Sequence, residues 1–88
     1  MNEKEIISRI EYHIRQKSFM NFLWGYKSWN IGVSENPELK FKSFGHPSKW
    51  KWYKAASVEV AYSVYLHFFV EGMKDKGCEP DGIYVYIY

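Results

Sequence analysis

The feature that most constrains the fold is the segment over residues 57–74, which reads SVEVAYSVYLHFFVEGMK. Its apolar side chains follow the three- and four-residue spacing of a helix and spread over more than one helical face. Ser57 is a good N-cap, and Gly72 lies where such a helix would end. The spacing therefore predicts a buried helix of about four turns, with a sheet on one side and another helix beside it.

Three further patterns precede this helix. Residues 3–17 place isoleucines on one helical stripe and opposite charges four residues apart, which predicts an amphipathic helix. Residues 18–25 contain breakers and indicate a connection, while residues 26–33 alternate as a strand with one buried face does. Asn36 followed by a proline predicts a short helix over 37–44.

The remaining segments predict two more strands. Residues 49–53 alternate along the chain, and residues 83–88 are β-branched and aromatic. Residues 76–82 contain glycine, proline and aspartate, so we expect a loop there. The order α-β-α-β-α-β predicts an α+β fold in which a small three-stranded sheet is covered by three helices.

Length and composition favour one small domain over residues 1–88, whose core is rich in aromatic rings. Cys78 is the single cysteine, which excludes an intrachain disulfide and a cysteine-based zinc site and fits a reducing compartment. No segment has the apolar run of a signal peptide or of a membrane span. We therefore expect a cytoplasmic protein without membrane contact, and we identify no residues for a cofactor or a metal.

Basic side chains are concentrated in one part of the chain. Residues 40–54 contain five lysines and no acid, whereas the rest of the chain carries seven basic and ten acidic side chains, and the net charge is +2. Such a segment suits an anionic partner such as DNA or RNA. The alternative is that these lysines are the solvent-exposed side of a hairpin-like region.

Within this segment, residues 49–54 read KWKWYK, so rings that stack on bases could lie beside lysines that contact phosphates. Alternation places Trp50 and Trp52 on one face, which we expect to pack in the core. Tyr53 then remains on the open face with the neighbouring lysines. The candidates for contacting nucleic acid are Lys40, Lys42, Lys49, Lys51, Tyr53 and Lys54.

Residues 30–40, NIGVSENPELK, are followed by a tryptophan-rich strand, a long helix ending in Glu-Gly-Met-Lys and a terminal Val-Tyr strand. Together they resemble the GIY-YIG nuclease superfamily, and in particular its small bacterial relatives. The resemblance covers about residues 28–88 and leaves the helix within 1–17 as an addition. It implies a three-stranded antiparallel sheet flanked by helices, and active members of the superfamily cut DNA with one divalent metal ion.

The resemblance also implies which positions correspond to the family's active site. Asn30 falls on the tyrosine of the second motif, Gly32 on its glycine, and Ser34 on the serine or threonine that follows. Lys40 falls on an arginine thought to stabilise phosphate charge, and it lacks the planar fork of that residue. Tyr65 falls on the metal-binding glutamate, which a tyrosine cannot replace as a magnesium ligand. The resemblance therefore predicts a degenerate, non-catalytic site.

The family's first motif is missing from its usual place ahead of the second. The tripeptide Gly82-Ile83-Tyr84 occurs near the C-terminus instead. One interpretation is a circular permutation, in which the terminal strand takes the place of the family's first strand. The other interpretation is a chance match in an aromatic-rich chain, and both stay open on the sequence.

Two smaller features carry weaker hypotheses. His67 lies four residues from both Ser63 and Glu71, a spacing that suits half a metal site but describes a solvated helix stripe more simply. Cys78 has little cationic surrounding in the sequence, so we interpret it as a bystander rather than a nucleophile.

Three functional hypotheses follow from the sequence. The first is a non-catalytic GIY-YIG-like domain that binds nucleic acid weakly through the lysine-rich segment. The second is a divergent metal-dependent nuclease that uses Lys40 and a carboxylate elsewhere in the chain. The third is a protein-interaction module with an exposed aromatic surface. Metal dependence separates the second from the others, and salt-sensitive binding of nucleic acid separates the first from the third.

Overall fold

The structure, a computed structural model, describes residues 1–17 and 25–88 of the chain. The predicted connection over 18–25 therefore lies almost wholly outside the described residues. The described part is an α+β arrangement of three helices and four strands, in the order α1 (Glu3–Lys17), β1 (Asn30–Ser34), α2 (Pro37–Ser43), β2 (Lys51–Lys54), α3 (Val58–Val70), β3 (Lys74–Cys78) and β4 (Tyr84–Ile87). None of these helices has the length and apolar character needed to cross a membrane.

Side-chain caps begin α2 and α3 where the sequence predicted. Asn36 Oδ1 accepts a hydrogen bond from the backbone N–H of Leu39 at 3.1 Å. Ser57 Oγ accepts one from the backbone N–H of Val60 at 3.2 Å. Each cap satisfies an N–H group that has no partner within its helix, so these residues fix where the two helices start.

The four strands form one mixed sheet in the order β2-β4-β1-β3. The terminal strand β4 is antiparallel to both β2 and β1, whereas β3 is parallel to β1. The expectation of three antiparallel strands is therefore correct for β2, β4 and β1 but misses the fourth strand.

The additional strand β3 forms from residues assigned by sequence to a helix end and a loop. Helix α3 ends two residues before Gly72, whose φ of 116° is a left-handed conformation that stops the helix. The chain then runs beside β1: Lys74 donates its N–H to Trp29 O at 2.9 Å, and Glu79 donates to Val33 O at 3.0 Å. Backbone hydrogen bonds to β1 hold this edge strand. Its side chains are nearly all exposed, so they show no apolar alternation.

Helices α1 and α3 cover one side of the sheet, here called the aliphatic face. Strand pairing places Ile31 beside Ile87 and Val33 beside Val85, and all four side chains are buried. The helix residues buried against them are Ile6, Ile10, Ile14, Ala61, Val64, Tyr65 and Phe68. Branched aliphatic side chains alternate along the strands and recur at helical spacing, so this face forms the main hydrophobic core.

The outer side of α3 departs from the prediction that this helix is buried on more than one face. Tyr62, Leu66, Phe69 and Val70 are exposed, and Val70 retains 81% of its accessible surface. In the described part of the chain, the sheet and α1 cover only the opposite side of the helix.

The other side of the sheet, here called the aromatic face, is covered by the seven-residue α2. Tyr86 at its centre is fully buried, and Trp50 stacks on it with the ring centroids 4.9 Å apart. Phe41 of α2 packs against Trp50, and Phe44 packs against Tyr86. Because α2 is short, part of this face near β2 stays open, and Trp52 is 46% exposed.

Candidate binding grooves

A groove between α1 and β2, here called the basic groove, lies at the margin of the aliphatic face. Its volume is about 530 Å³, and its lining residues are Ser8, Arg9, Tyr12, His13, Gln16, Lys51 and Tyr53. The α1 members are one, three or four positions apart, so they form a polar stripe beside the buried isoleucines. No carboxylate is among these lining residues.

Two cations line opposite walls of the basic groove. Arg9 comes from α1 and Lys51 from β2. Arg9 also pairs with Glu5 at 3.4 Å, but both side chains are largely solvent-exposed. Such a pair contributes about 0–1 kcal/mol, so the guanidinium can exchange this carboxylate for an anionic ligand.

The basic groove continues toward Lys49 and carries one exposed ring. The backbone carbonyl of Lys49 lies 2.9 Å from His13 Nε2, and Lys49 Nζ lies 5.1 Å from the centroid of the Trp29 ring. Tyr12, on the α1 wall, is 61% exposed. Cations beside an accessible aromatic ring suit a ligand that combines phosphates with stacking bases.

Tyr53 forms the floor of the basic groove, so its predicted place on an open face is wrong. The residue is 3% exposed, and its hydroxyl donates to Arg9 O at a long 3.4 Å. Burial raises the pKa of Tyr53 to about 12, which keeps the hydroxyl protonated at neutral pH. Pairing of β2 with β4 sets Tyr53 beside Val85, which points into the main core. The alternation was correct, but the helices cover the tyrosine side of β2.

A second groove, here called the aromatic groove, lies between the start of α2 and β2. Its volume is about 460 Å³, and its lining residues are Glu35, Asn36, Pro37, Glu38, Phe41, Trp50, Trp52 and Tyr84. Trp52 and Tyr84 meet edge to face with centroids 5.3 Å apart. Trp50 is partly buried over Tyr86, whereas Trp52 is exposed. The prediction that both tryptophans pack in the core is therefore wrong for Trp52.

The predicted lysines do not form one surface. Lys49 and Lys51 lie at the basic groove. Lys54 points to the aromatic face, because side chains alternate along β2. Lys40 and Lys42 belong to α2, which covers that same face. The lysine-rich segment is thus divided by β2 between the two sides of the sheet.

Ser34 and Glu79 form a polar cluster close to Lys40. Glu79 Oε1 accepts the backbone N–H of Glu35 at 2.7 Å, and Ser34 Oγ accepts the backbone N–H of Asn36 at 2.9 Å. Hydrogen bonds from the Ser34 hydroxyl and the Glu35 N–H, with a smaller contribution from Lys40, hold the pKa of Glu79 below its usual range. The fold thus brings a carboxylate near Lys40 that no sequence pattern linked to it.

Gly32 and Asn30 have packing roles at the centre of the aromatic face. A Cβ atom on Gly32 would overlap the ring and hydroxyl of Tyr86, so this close approach requires glycine. Tyr86 donates its hydroxyl to Lys76 O at 3.3 Å. Asn30 Nδ2 donates to Tyr88 O at 3.1 Å and ties β1 to the end of β4.

Tyr65, at the position that the resemblance assigns to a metal-binding glutamate, lies on the aliphatic face. Its hydroxyl donates to Asp75 Oδ1 at 2.7 Å. Burial and this hydrogen bond raise the pKa of Tyr65 to about 12, while hydrogen bonds from Tyr65 and from the Gly77 N–H lower the pKa of Asp75. Asp75 pairs in register with Ile31 of the core, whereas Lys40 lies on the aromatic face. The sheet therefore separates Tyr65 from Lys40.

The smaller sequence features do not gather into a site. His67 and Glu71 are exposed at the end of α3, as expected of a solvated stripe. Burial, with a smaller effect of Asp75, raises the pKa of the Cys78 thiol, which opposes a nucleophilic role. In the described part of the chain, no three His, Cys, Asp or Glu side chains come together as a possible metal site.

The grooves depend on residues that the sequence patterns did not select. Arg9 and Tyr12 were assigned only to an amphipathic helix, and the polar stripe beside its isoleucines was the one available signal. Glu35 and Glu38 were assigned only to the region around a helix start. Comparisons of the chain with protein-family models, curated proteins and solved structures gave no match.

Proposed function

We propose that this protein is a non-catalytic nucleic-acid-binding domain of GIY-YIG-like type, and that the basic groove holds the nucleic acid. The observation that carries the proposal is the lining of this groove, where Arg9 and Lys51 stand on opposite walls without a carboxylate between them. Phosphates gain from both cations and meet no carboxylate among the lining residues.

The same groove provides for the base as well as the phosphate. Tyr12 is exposed on the α1 wall, where a base can stack on the phenol ring. Lys49 adds a further positive charge over the Trp29 ring, which packs edge to face against His13 of the groove. A few phosphate contacts and one stacking ring give weak binding without a strong sequence preference, since neither kind of contact reads base edges.

The GIY-YIG relationship is supported by the position of the terminal strand. β4 pairs antiparallel with β1, so Tyr84 lies opposite Ser34, next to the segment that resembles the second family motif. This arrangement favours the circular permutation over a chance match. The parallel strand β3 is a departure from the family pattern as the resemblance implies it.

The non-catalytic part of the proposal is supported by the Tyr65 position. Its hydroxyl is occupied by Asp75, and the sheet separates both residues from Lys40. A phenol that is protonated at neutral pH is a poor ligand for magnesium, which prefers carboxylate and water oxygens.

The test is a titration of labelled single-stranded and duplex DNA and RNA at several salt concentrations. If the basic groove contacts phosphates, the logarithm of the affinity falls linearly with log salt, with a slope of about −0.7 to −0.9 per contact. The double variant Lys49→Glu, Lys51→Glu should reduce that slope by about one to two units. The matched control Lys42→Glu, Lys54→Glu reverses two lysines of the aromatic face and should keep the slope.

Two outcomes contradict this proposal. One is the absence of binding to any of these nucleic acids at low salt. The other is binding that falls equally in both double variants, because that result would assign the effect to net charge rather than to the basic groove. Circular dichroism of each variant verifies that the fold is retained.

A divergent nuclease is a second candidate, favoured by the hydrogen-bonded cluster of Ser34 and Glu79, where the charge of Lys40 helps to lower the pKa of Glu79. A magnesium-dependent nuclease centred there would lose cleavage of plasmid DNA in both Lys40→Ala and Glu79→Gln. Under the non-catalytic proposal, the purified protein shows no magnesium- or manganese-dependent cleavage above the Lys40→Ala background.

A further inference from the structure

We propose that the aromatic groove binds an arginine side chain presented by an extended segment of a partner protein. The groove is lined by four aromatic rings and by two carboxylates, those of Glu35 and Glu38, and no cation belongs to this lining. Its volume of about 460 Å³ is within the range of sites that enclose a ligand side chain.

The rings offer an accessible and rigid surface. Trp52 is 46% exposed and meets Tyr84 edge to face, so part of the indole surface is accessible to a ligand. Trp50, which lines the same groove, packs against Tyr86, at 4.9 Å and 18°, and against Phe41, at 5.3 Å. A surface that is already ordered loses little conformational entropy on binding, which favours affinity.

The charges select a cation over an anion. Three backbone N–H groups at this end of α2 are occupied within the protein: Leu39 N–H by Asn36 Oδ1, Asn36 N–H by Ser34 Oγ, and Glu35 N–H by Glu79. A phosphate in the aromatic groove would meet the carboxylates of Glu35 and Glu38 and no cation in the lining. This separates the aromatic groove from the basic groove in the class of ligand each accepts.

Arginine fits better than lysine because its planar guanidinium can stack on the Trp52 ring and donate to a carboxylate in the same plane. Two lysines of the chain lie beside this groove, and Lys42 competes for one of its carboxylates. Lys42 Nζ lies 3.7 Å from Glu38 Oε1 in a solvent-exposed pair. Lys54 of β2 pairs in register with Tyr84 of β4. An exposed pair of this kind contributes about 0–1 kcal/mol, so a guanidinium that also stacks on Trp52 can displace Lys42.

The test is a selection of random displayed peptides of about twelve residues, long enough to span the groove as an extended segment, on the purified full chain. A second selection uses the variant Glu35→Gln, Glu38→Gln, which keeps shape and hydrogen-bonding groups but removes both charges. Peptides enriched on the wild type should contain arginine, and the enrichment should be lost on the variant.

A selected peptide is then titrated while the indole N–H signals of Trp50 and Trp52 are followed by nuclear magnetic resonance. Replacing its arginine by citrulline, which has nearly the same shape without the charge, should weaken binding about tenfold. Trp52→Ala should abolish saturable binding, and Glu59→Gln on α3 should leave it unchanged. Lys42→Ala should strengthen binding modestly.

The proposal is overturned if no peptide is enriched, if the enriched peptides are acidic or purely apolar, or if citrulline and arginine peptides bind equally. It is also overturned if nucleic acid shifts the Trp52 indole signal and the peptides do not. Each of these results leaves the nucleic-acid proposal to be judged on its own titration.

Discussion

The aliphatic and aromatic faces belong to the same sheet but are closed in different ways. Two helices of 15 and 13 residues cover the aliphatic face, and the strand side chains beneath them are mostly branched aliphatics. A seven-residue helix covers the aromatic face, where large rings pack on one another. Large rings complete a layer with little help from a helix but leave gaps between them. Each face therefore keeps a groove at its margin, and the two grooves differ in charge because Arg9 and Lys51 line one and Glu35 and Glu38 line the other.

The largest expected effect is on both faces at once. Deletion of residues 83–88 removes β4, which hydrogen-bonds to both β1 and β2 and contributes buried side chains to each face. We expect loss of the cooperative unfolding transition and of the near-ultraviolet circular dichroism signal. An unchanged melting curve would show that β4 is an appendage and would remove the permutation hypothesis.

The next largest loss of stability is expected from a substitution on the aromatic face alone. Tyr86→Ala empties the centre of the aromatic face and should lower the free energy of unfolding by about 3–5 kcal/mol in urea titration. Tyr86→Phe keeps the ring and removes only a hydroxyl that donates at 3.3 Å, so it should cost about 1 kcal/mol. Similar losses for the two variants would mean that the ring layer contributes little.

A smaller effect tests why Gly32 is a glycine. Gly32→Ala forces the Tyr86 ring to move, and overpacking of this kind should cost about 1–3 kcal/mol. The double variant Gly32→Ala, Tyr86→Ala should show a smaller loss than the sum of the two single variants, because the added methyl group then has room. Additive losses would contradict this contact.

The smallest effect is on the aliphatic face. Tyr65→Phe removes the hydrogen bond to Asp75 and should cost about 0.5–1.5 kcal/mol at pH 7. The pKa of Asp75 is lowered in the folded state, so its contribution is present above the unfolded pKa of about 3.9 and is lost as the pH falls through the folded value. The difference between wild type and variant should therefore shrink below about pH 4.

A constant difference between wild type and Tyr65→Phe from pH 7 to acid would show that the hydroxyl acts through packing alone. Asp75→Ser is a useful second variant, because it removes the titrating group while keeping a short polar side chain in the same strand. In this variant the free energy of unfolding should no longer fall below about pH 4 through residue 75, and the aromatic face should be unchanged.

Most of the helices and strands could be predicted from the sequence alone. Side-chain spacing and caps are properties of neighbouring residues, so α1, α2, α3 and the strands β1, β2 and β4 could be predicted with modest errors at their ends. The high aromatic content also predicted a densely packed core. The resemblance predicted that Lys40 and Tyr65 replace active-site residues of the family, but it gave no indication that the sheet would separate the two.

The fourth strand, the orientation of β2 and the composition of both grooves depend on tertiary packing, and the sequence did not predict them. β3 is an edge strand held by backbone hydrogen bonds to β1, so its side chains carry no pattern to read. The period of β2 indicated two faces but not which face the helices would cover, and this reversed Tyr53 and Trp52. Arg9 and Lys51 are far apart in the chain, and only the packing of α1 beside β2 makes them one site.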